Sequence, residues 1–183
     1  MTMRHTGPTS EVWSAAALAI EPTLTLFQKV LLTTDGTVTE LVSLYAGKPI
    51  RARKISQSIG YTTAPALLQA DAAARILHRT IVLEDETGAP YLYADSYFIV
   101  DRFSEAIQRD LVETDLPIGL LWRRERLEMY REIIERCRER CPVVARVLLV
   151  DASADLLART YVVYHGGQPL GTVTEKFVAS ILH

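Results

Sequence analysis

Between residues 76 and 100 two runs of apolar, β-branched and aromatic side chains, interrupted by single polar or charged positions, flank a short polar stretch. Ile76–Glu84 and Tyr91–Val100 are rich in β-branched and aromatic residues, and Thr87-Gly88 between them predicts a hairpin. The same grammar recurs near the end of the sequence: Arg159–His165, the turn Gly166-Gly167, then Pro169–Val178. Pro49–Ser56 alternates as a further strand, and Val143–Val150 fits either a strand or a helix end and is read as strand.

Helical spacing appears in other stretches. Leu24, Phe27, Val30 and Leu31 share one face of a helix from Pro22 to Leu32, which Asp35-Gly36 ends. A second helix runs from Val38 to Tyr45 and stops at Gly47. Ser104 can cap a helix reaching Glu113. Asp115 caps the next, with Pro117 in its first turn; its pattern is long and charged and continues through Arg140 to Pro142. Hairpins, extra strands and helices together predict one antiparallel α+β domain over residues 12–183, with polar residues 1–11 as a loose end.

Composition narrows the function classes. A chain of 183 residues suits one domain with a real core. The net charge of −2 leaves no electrostatic footprint for nucleic acid. Arginines do cluster in Arg123–Arg140, but Glu125, Glu128, Glu132, Glu135 and Glu139 interleave with them, which predicts a solvated amphipathic helix. No apolar run nears the roughly 20 residues that cross a bilayer. Ala15–Ile20 is too short for a signal sequence, so a cytoplasmic protein is expected. Cys137 and Cys141 stand four apart, and His5, His78, His165 and His183 are scattered, so no metal site is predicted.

Two charges then stand out. Residues two apart in a strand share a face, so Arg79 lies with Leu77, Ile81 and Leu83, and Glu175 with Gly171, Val173 and Phe177. Burying an isolated ion costs several kcal/mol. Either the two form a buried ion pair, or their faces line a pocket. In the pocket reading Arg79 grips a ligand carboxylate, and a desolvated Glu175 transfers protons. A third element, Asp115-Leu116-Pro117-Ile118-Gly119, presents the amides of Ile118 and Gly119 at a helix start, where anions are stabilised; an ordinary helix start explains it equally.

In order along the chain stand Asp35-Gly36-Thr37-Val38-Thr39, Leu77-His78-Arg79, Tyr93-Ala94-Asp95-Ser96, Pro117-Ile118-Gly119, Arg159-Thr160-Tyr161, Gly166-Gly167-Gln168-Pro169 and Thr174-Glu175-Lys176-Phe177. This series resembles the chorismate pyruvate-lyase family, in its actinobacterial and archaeal branch that makes 4-hydroxybenzoate, from about Thr33 to Phe177. The resemblance implies a sheet of about six antiparallel strands flanked by helices, enclosing the ligand pocket. It implies that Arg79 binds the ring carboxylate, that Glu175 faces the ether and hydroxyl as general acid or base, and that the Ile118 amide, beside Gly119, also meets the carboxylate. Val38 falls near an apolar flap residue. Arg159 is implied as a structural or supporting arginine. Leu77, Ile81, Val173 and Phe177 would form the apolar lining. The reaction expels pyruvate and aromatises the ring, and it is implied to need no cofactor or metal. The expected partner is a small carboxylated ligand, with the protein a monomer or homodimer.

The chain departs from the family where relatives carry a charged residue after Pro-Ile-Gly; here Leu120-Leu121-Trp122 follows. That change, with the row Tyr91, Tyr93, Tyr97, motivates a second reading, a relative acting on a larger acid in secondary metabolism. The same row also fits a packed outer layer under helices. A third reading is a non-catalytic sensor, since effector domains of a bacterial repressor family share the fold. Those domains follow a DNA-binding helix-turn-helix, for which the short N-terminal region has no room.

Overall fold

The computed structural model describes residues 11–61, 64–114, 124 and 128–180. Seven strands pair in one antiparallel sheet: β1 (Glu11–Val12), β2 (Arg51–Gly60), β3 (Ile76–Glu84), β4 (Pro90–Ile99), β5 (Tyr130–Glu139), β6 (Leu156–His165) and β7 (Gln168–Val178). Their spatial order is β1-β5-β6-β7-β4-β3-β2. The helices are α1 (Ala15–Ile20), α2 (Leu26–Thr33), α3 (Val38–Ala46), α4 (Glu105–Glu113) and α5 (Pro142–Val147). Both predicted hairpins form, with left-handed glycines Gly88, Gly166 and Gly167 at their turns. The seventh strand is the short β1, which pairs with Cys137 and Arg138 of β5; Glu11 therefore belongs to the sheet rather than to a loose end.

Four expectations are corrected. The long charged helix is overturned over residues 130–139, which form β5 against β6. A sequence of interleaved Glu and Arg satisfies helical spacing and two-residue alternation alike, and pairing with β6 decides between them. Ile134 is the extra residue of a bulge, since Ile133 faces Tyr161 and Glu135 faces Thr160. Val143–Val150 is helical at its start instead of extended, because Pro142 opens α5 with its φ already set. The α2 helix begins at Leu26, four residues after Pro22, where Thr25 and Gln28 form a capping box. The first predicted strand, Pro49–Ser56, is displaced to Arg51–Gly60.

Helices α1 to α4 cover one face of the sheet. Leu18, Leu31, Leu32, Val42, Ile107 and Leu111 join Leu77, Leu92, Phe98, Leu157 and Phe177 in the main core. On the other face Val144 and Leu148 of the α5 region pack on Leu156, Val178 and Tyr93. Tyr97 packs there too, beside Leu68. Tyr91 departs from that outer row: it joins the main core, and its hydroxyl donates to Asp85.

Asp85 anchors the β3–β4 turn to the end of α3. Its fully buried carboxylate accepts from Lys48 Nζ at 2.7 Å, Thr87 Oγ1 at 2.6 Å and the Thr87 and Ala89 amides. The Lys48 ammonium, then Thr87, hold this carboxyl far below the usual carboxylate range. The folded state thus binds fewer protons than the unfolded chain, so the stabilisation is present above about pH 4 and is lost as pH falls toward the folded value. Thermal unfolding followed between about pH 5 and pH 2 is expected to show a steeper acid loss for wild type than for Asp85→Asn. Parallel profiles would refute it.

Candidate active site

Three neighbouring rungs of the covered face build the site. Ile133, Tyr161, Val173, Ser96 and Arg79 are successive register partners across β5, β6, β7, β4 and β3. On one side the rung reads Arg136, Arg159, Glu175, Ala94, Ile81; on the other Arg131, Val163, Gly171, Phe98, Leu77. Above them Gly36, Thr37, Val38 and Thr39, at the start of α3, close a cavity lined by Arg79, Ile81, Val173 and Glu175 among others. About 80 Å³ inside it is open to the centres of water molecules. One ordered water needs roughly 10–15 Å³ on that measure, so the space holds several waters or one small ring.

Arg79 and Glu175 therefore face one cavity, 2% and 7% exposed, from strands two spacings apart. That is roughly 10 Å across the sheet. Glu175 is paired, but with Arg159 rather than Arg79: Arg159 Nε donates to Oε2 at 2.6 Å. The Tyr161 hydroxyl donates to Oε1 at 3.1 Å. Arg159 also donates to the Thr34 carbonyl at 2.6 Å, and its guanidinium lies 5.3 Å from the Tyr161 ring centroid. Burial, followed by the Glu175 charge, pushes the Tyr161 phenol well above its ordinary value, so it stays a neutral donor. Ser96 Oγ donates to the Arg79 carbonyl at 3.0 Å and ties β4 to β3 beside the cavity.

Val38, Ile81 and Val173 line the cavity. Leu77 and Phe177 do not: both are buried in the main core, at the ends of the same faces, where they pack between sheet and helices. Ile118, Gly119 and Leu120-Leu121-Trp122 lie outside the described residues. Tyr161, Ser96 and Arg131 are among the lining residues that the sequence reasoning did not single out. Tyr161 and Ser96 stood inside the quoted segments, and Tyr161 shares the Arg159 face by simple alternation. Arg131 was hidden by the helical assignment of β5; its guanidinium donates to the Asp35 carbonyl beneath the α3 start. Among the described residues, no three His, Cys, Asp or Glu side chains converge as a metal centre, and no helix is long and apolar enough to cross a membrane.

A single α+β domain with one antiparallel sheet and helices on its faces defines the fold class. Solved structures share it. The effector domain of PhnF from Mycobacterium smegmatis superposes with a TM-score of 0.63 at 15% identity, over 81% of this chain and 91% of that one. The C-terminal domain of the histidine utilization repressor from Pseudomonas syringae gives 0.56 at 17%, over 73% and 94%. At such identities the likeness is one of fold alone.

Sequence relatives define the family. The chain belongs to the Rv2949c-like chorismate pyruvate-lyase family, whose profile matches residues 32–182. It is 29% identical over 157 residues to the chorismate pyruvate-lyase of Mycobacterium leprae, covering 84% of this chain and 74% of that protein. The Mycobacterium tuberculosis chorismate pyruvate-lyase is 26% identical over 160 residues, covering 84% and 80%. An archaeal relative from Methanocaldococcus jannaschii is 28% identical over 155 residues, covering 82% and 77%.

Proposed function

We propose that the protein is a chorismate pyruvate-lyase, releasing pyruvate and hydroxybenzoate, with Arg79 and Glu175 as its catalytic pair. The observation that carries this is the meeting of the two side chains, from separate strands, in one cavity. Arg79 binds the ring carboxylate with its planar fork and sets the ring's position. Glu175, as a carboxylate oriented by Arg159 and Tyr161, takes the proton from the ring carbon that bears the hydroxyl. The adjacent ring carbon–oxygen ether bond breaks, the C–H electron pair completes the aromatic ring, and enolpyruvate leaves. That proton returns to the enolpyruvate methylene, giving pyruvate, so the balance closes with no net proton gained or lost. Arg159 and Tyr161 both donate to Glu175, an arrangement that suits it to accept a proton rather than to donate one to the ether oxygen.

The test incubates purified protein with chorismate and follows both products, with chromatography separating 4-hydroxybenzoate from 3-hydroxybenzoate. Equimolar release is expected, and Arg79→Ala is expected to lower kcat/KM about a hundredfold or more, the scale of a misplaced substrate. Untouched chorismate with the wild-type protein would overturn the proposal.

A further inference from the structure

Chorismate carries two carboxylates, one on the ring and one on the enolpyruvyl ether, and Arg79 answers only the first. The second has to lie on the same face as Glu175, whose negative charge repels it. Arg159 is engaged elsewhere, its Nε on Glu175 and another nitrogen on the Thr34 carbonyl. Among the described residues that line the cavity two are cationic, Arg79 and Arg131. They stand on neighbouring rungs of β3 and β5, four strand spacings apart. That separation is roughly 19 Å of flat sheet before the side chains reach inward, with Glu175 between them. We infer that Arg131 is a specificity residue, binding the side-chain carboxylate of a dicarboxylate substrate opposite Arg79.

This inference rests on the lyase reading above. Two observations support it beyond the lining itself. Arg131 is half-buried and held by the Asp35 carbonyl, so its guanidinium is positioned rather than waving in solvent. The same carbonyl leads into Gly36, Thr37, Val38 and Thr39, the lining that opens α3. The first-turn amides of a helix favour negative charge, so an anion here meets the guanidinium and the helix start together. The arrangement also discriminates substrate from product. Hydroxybenzoate has lost the second carboxylate, leaves Arg131 without an anion, and departs more readily.

The test is equilibrium binding of two probes, 4-hydroxybenzoate and 4-hydroxybenzoate bearing a carboxymethyl ether on the neighbouring ring carbon. Wild type is expected to prefer the diacid by about ten- to a hundredfold, as for a charged hydrogen-bonded contact. Arg131→Gln is expected to abolish the preference while leaving 4-hydroxybenzoate affinity unchanged, which also verifies that the variant is folded; Arg131→Lys retains part of it. A preference that survives Arg131→Gln, is absent from wild type, or falls only because both probes weaken together would overturn the inference. Chorismate turnover by wild type judges the lyase reading separately. Turnover without an Arg131-dependent preference sinks only the specificity assignment, and the preference without turnover sinks only the reaction.

Discussion

Glu175→Gln is expected to reduce turnover about 10²–10⁴-fold, the range for a lost general base, and to destabilise the fold as well. Arg159 is 1% exposed, and Glu175 is its carboxylate partner among the described residues, at 2.6 Å. Neutralising that partner strands a guanidinium in the core, at a cost of about 3–5 kcal/mol. Activity loss alone would not separate chemistry from unfolding, so the companion variant is Arg159→Met with Glu175→Leu. Replacing both charges by apolar groups removes the stranded ion, and stability is expected to recover most of the loss. Turnover is not expected to recover with it. Chemical denaturation and pyruvate release measure the two quantities independently. A Glu175→Gln protein as stable as wild type would mean that the pair is open to water; a double variant that regains activity would remove Glu175 from the chemistry.

The second large effect is expected at Gly171, in the middle of β7. A Cβ there would overlap the Phe98 ring and come within 2.6 Å of the Tyr97 carbonyl oxygen. A ring can turn aside, but a strand carbonyl cannot move without breaking its ladder. Gly171→Ala is therefore expected to cost about 1–3 kcal/mol from overpacking, at the upper end of that range because backbone is involved. Phe98 also lines the cavity, so a ring pushed off Gly171 intrudes on the ligand's space. The expected result is a lower denaturation midpoint together with weaker binding of 4-hydroxybenzoate. Unchanged stability would show that the strand accommodates a methyl group. Normal ligand affinity in a destabilised variant would show that the ring moves away from the cavity.

The two hairpins were readable from the chain because β-branched and aromatic residues crowd their arms, a glycine turn stands between them, and side chains alternate across a strand. The apolar neighbours of Arg79 and Glu175 followed from the same alternation, and they made those charges conspicuous. What escaped was whatever depended on a distant partner. Tyr130–Glu139 is strand because β6 lies beside it, and nothing local in a run of Glu and Arg announces that neighbour. With that element misassigned, Arg131 was placed on a solvated helix instead of in the cavity. The Arg159–Glu175 pair is likewise a cross-strand relation, between residues 16 apart in sequence. Two residues recognised separately, one as supporting and one as catalytic, are bonded to each other.

The order of the strands carries a consequence for how the molecule comes into being. β7, the last strand to be synthesised among those described, is inserted between β6 and β4, and no other strand joins the half made of β1, β5 and β6 to the half made of β2, β3 and β4. Until its residues leave the ribosome, the nascent chain holds two ribbons with raw hydrogen-bonding margins. Closure waits on the pairing of β4 with β7, far apart in the sequence, and pairings of that kind are the slower ones to form. Glu175 rides on that final insert, so the lining of the candidate cavity and the sheet are completed in a single event.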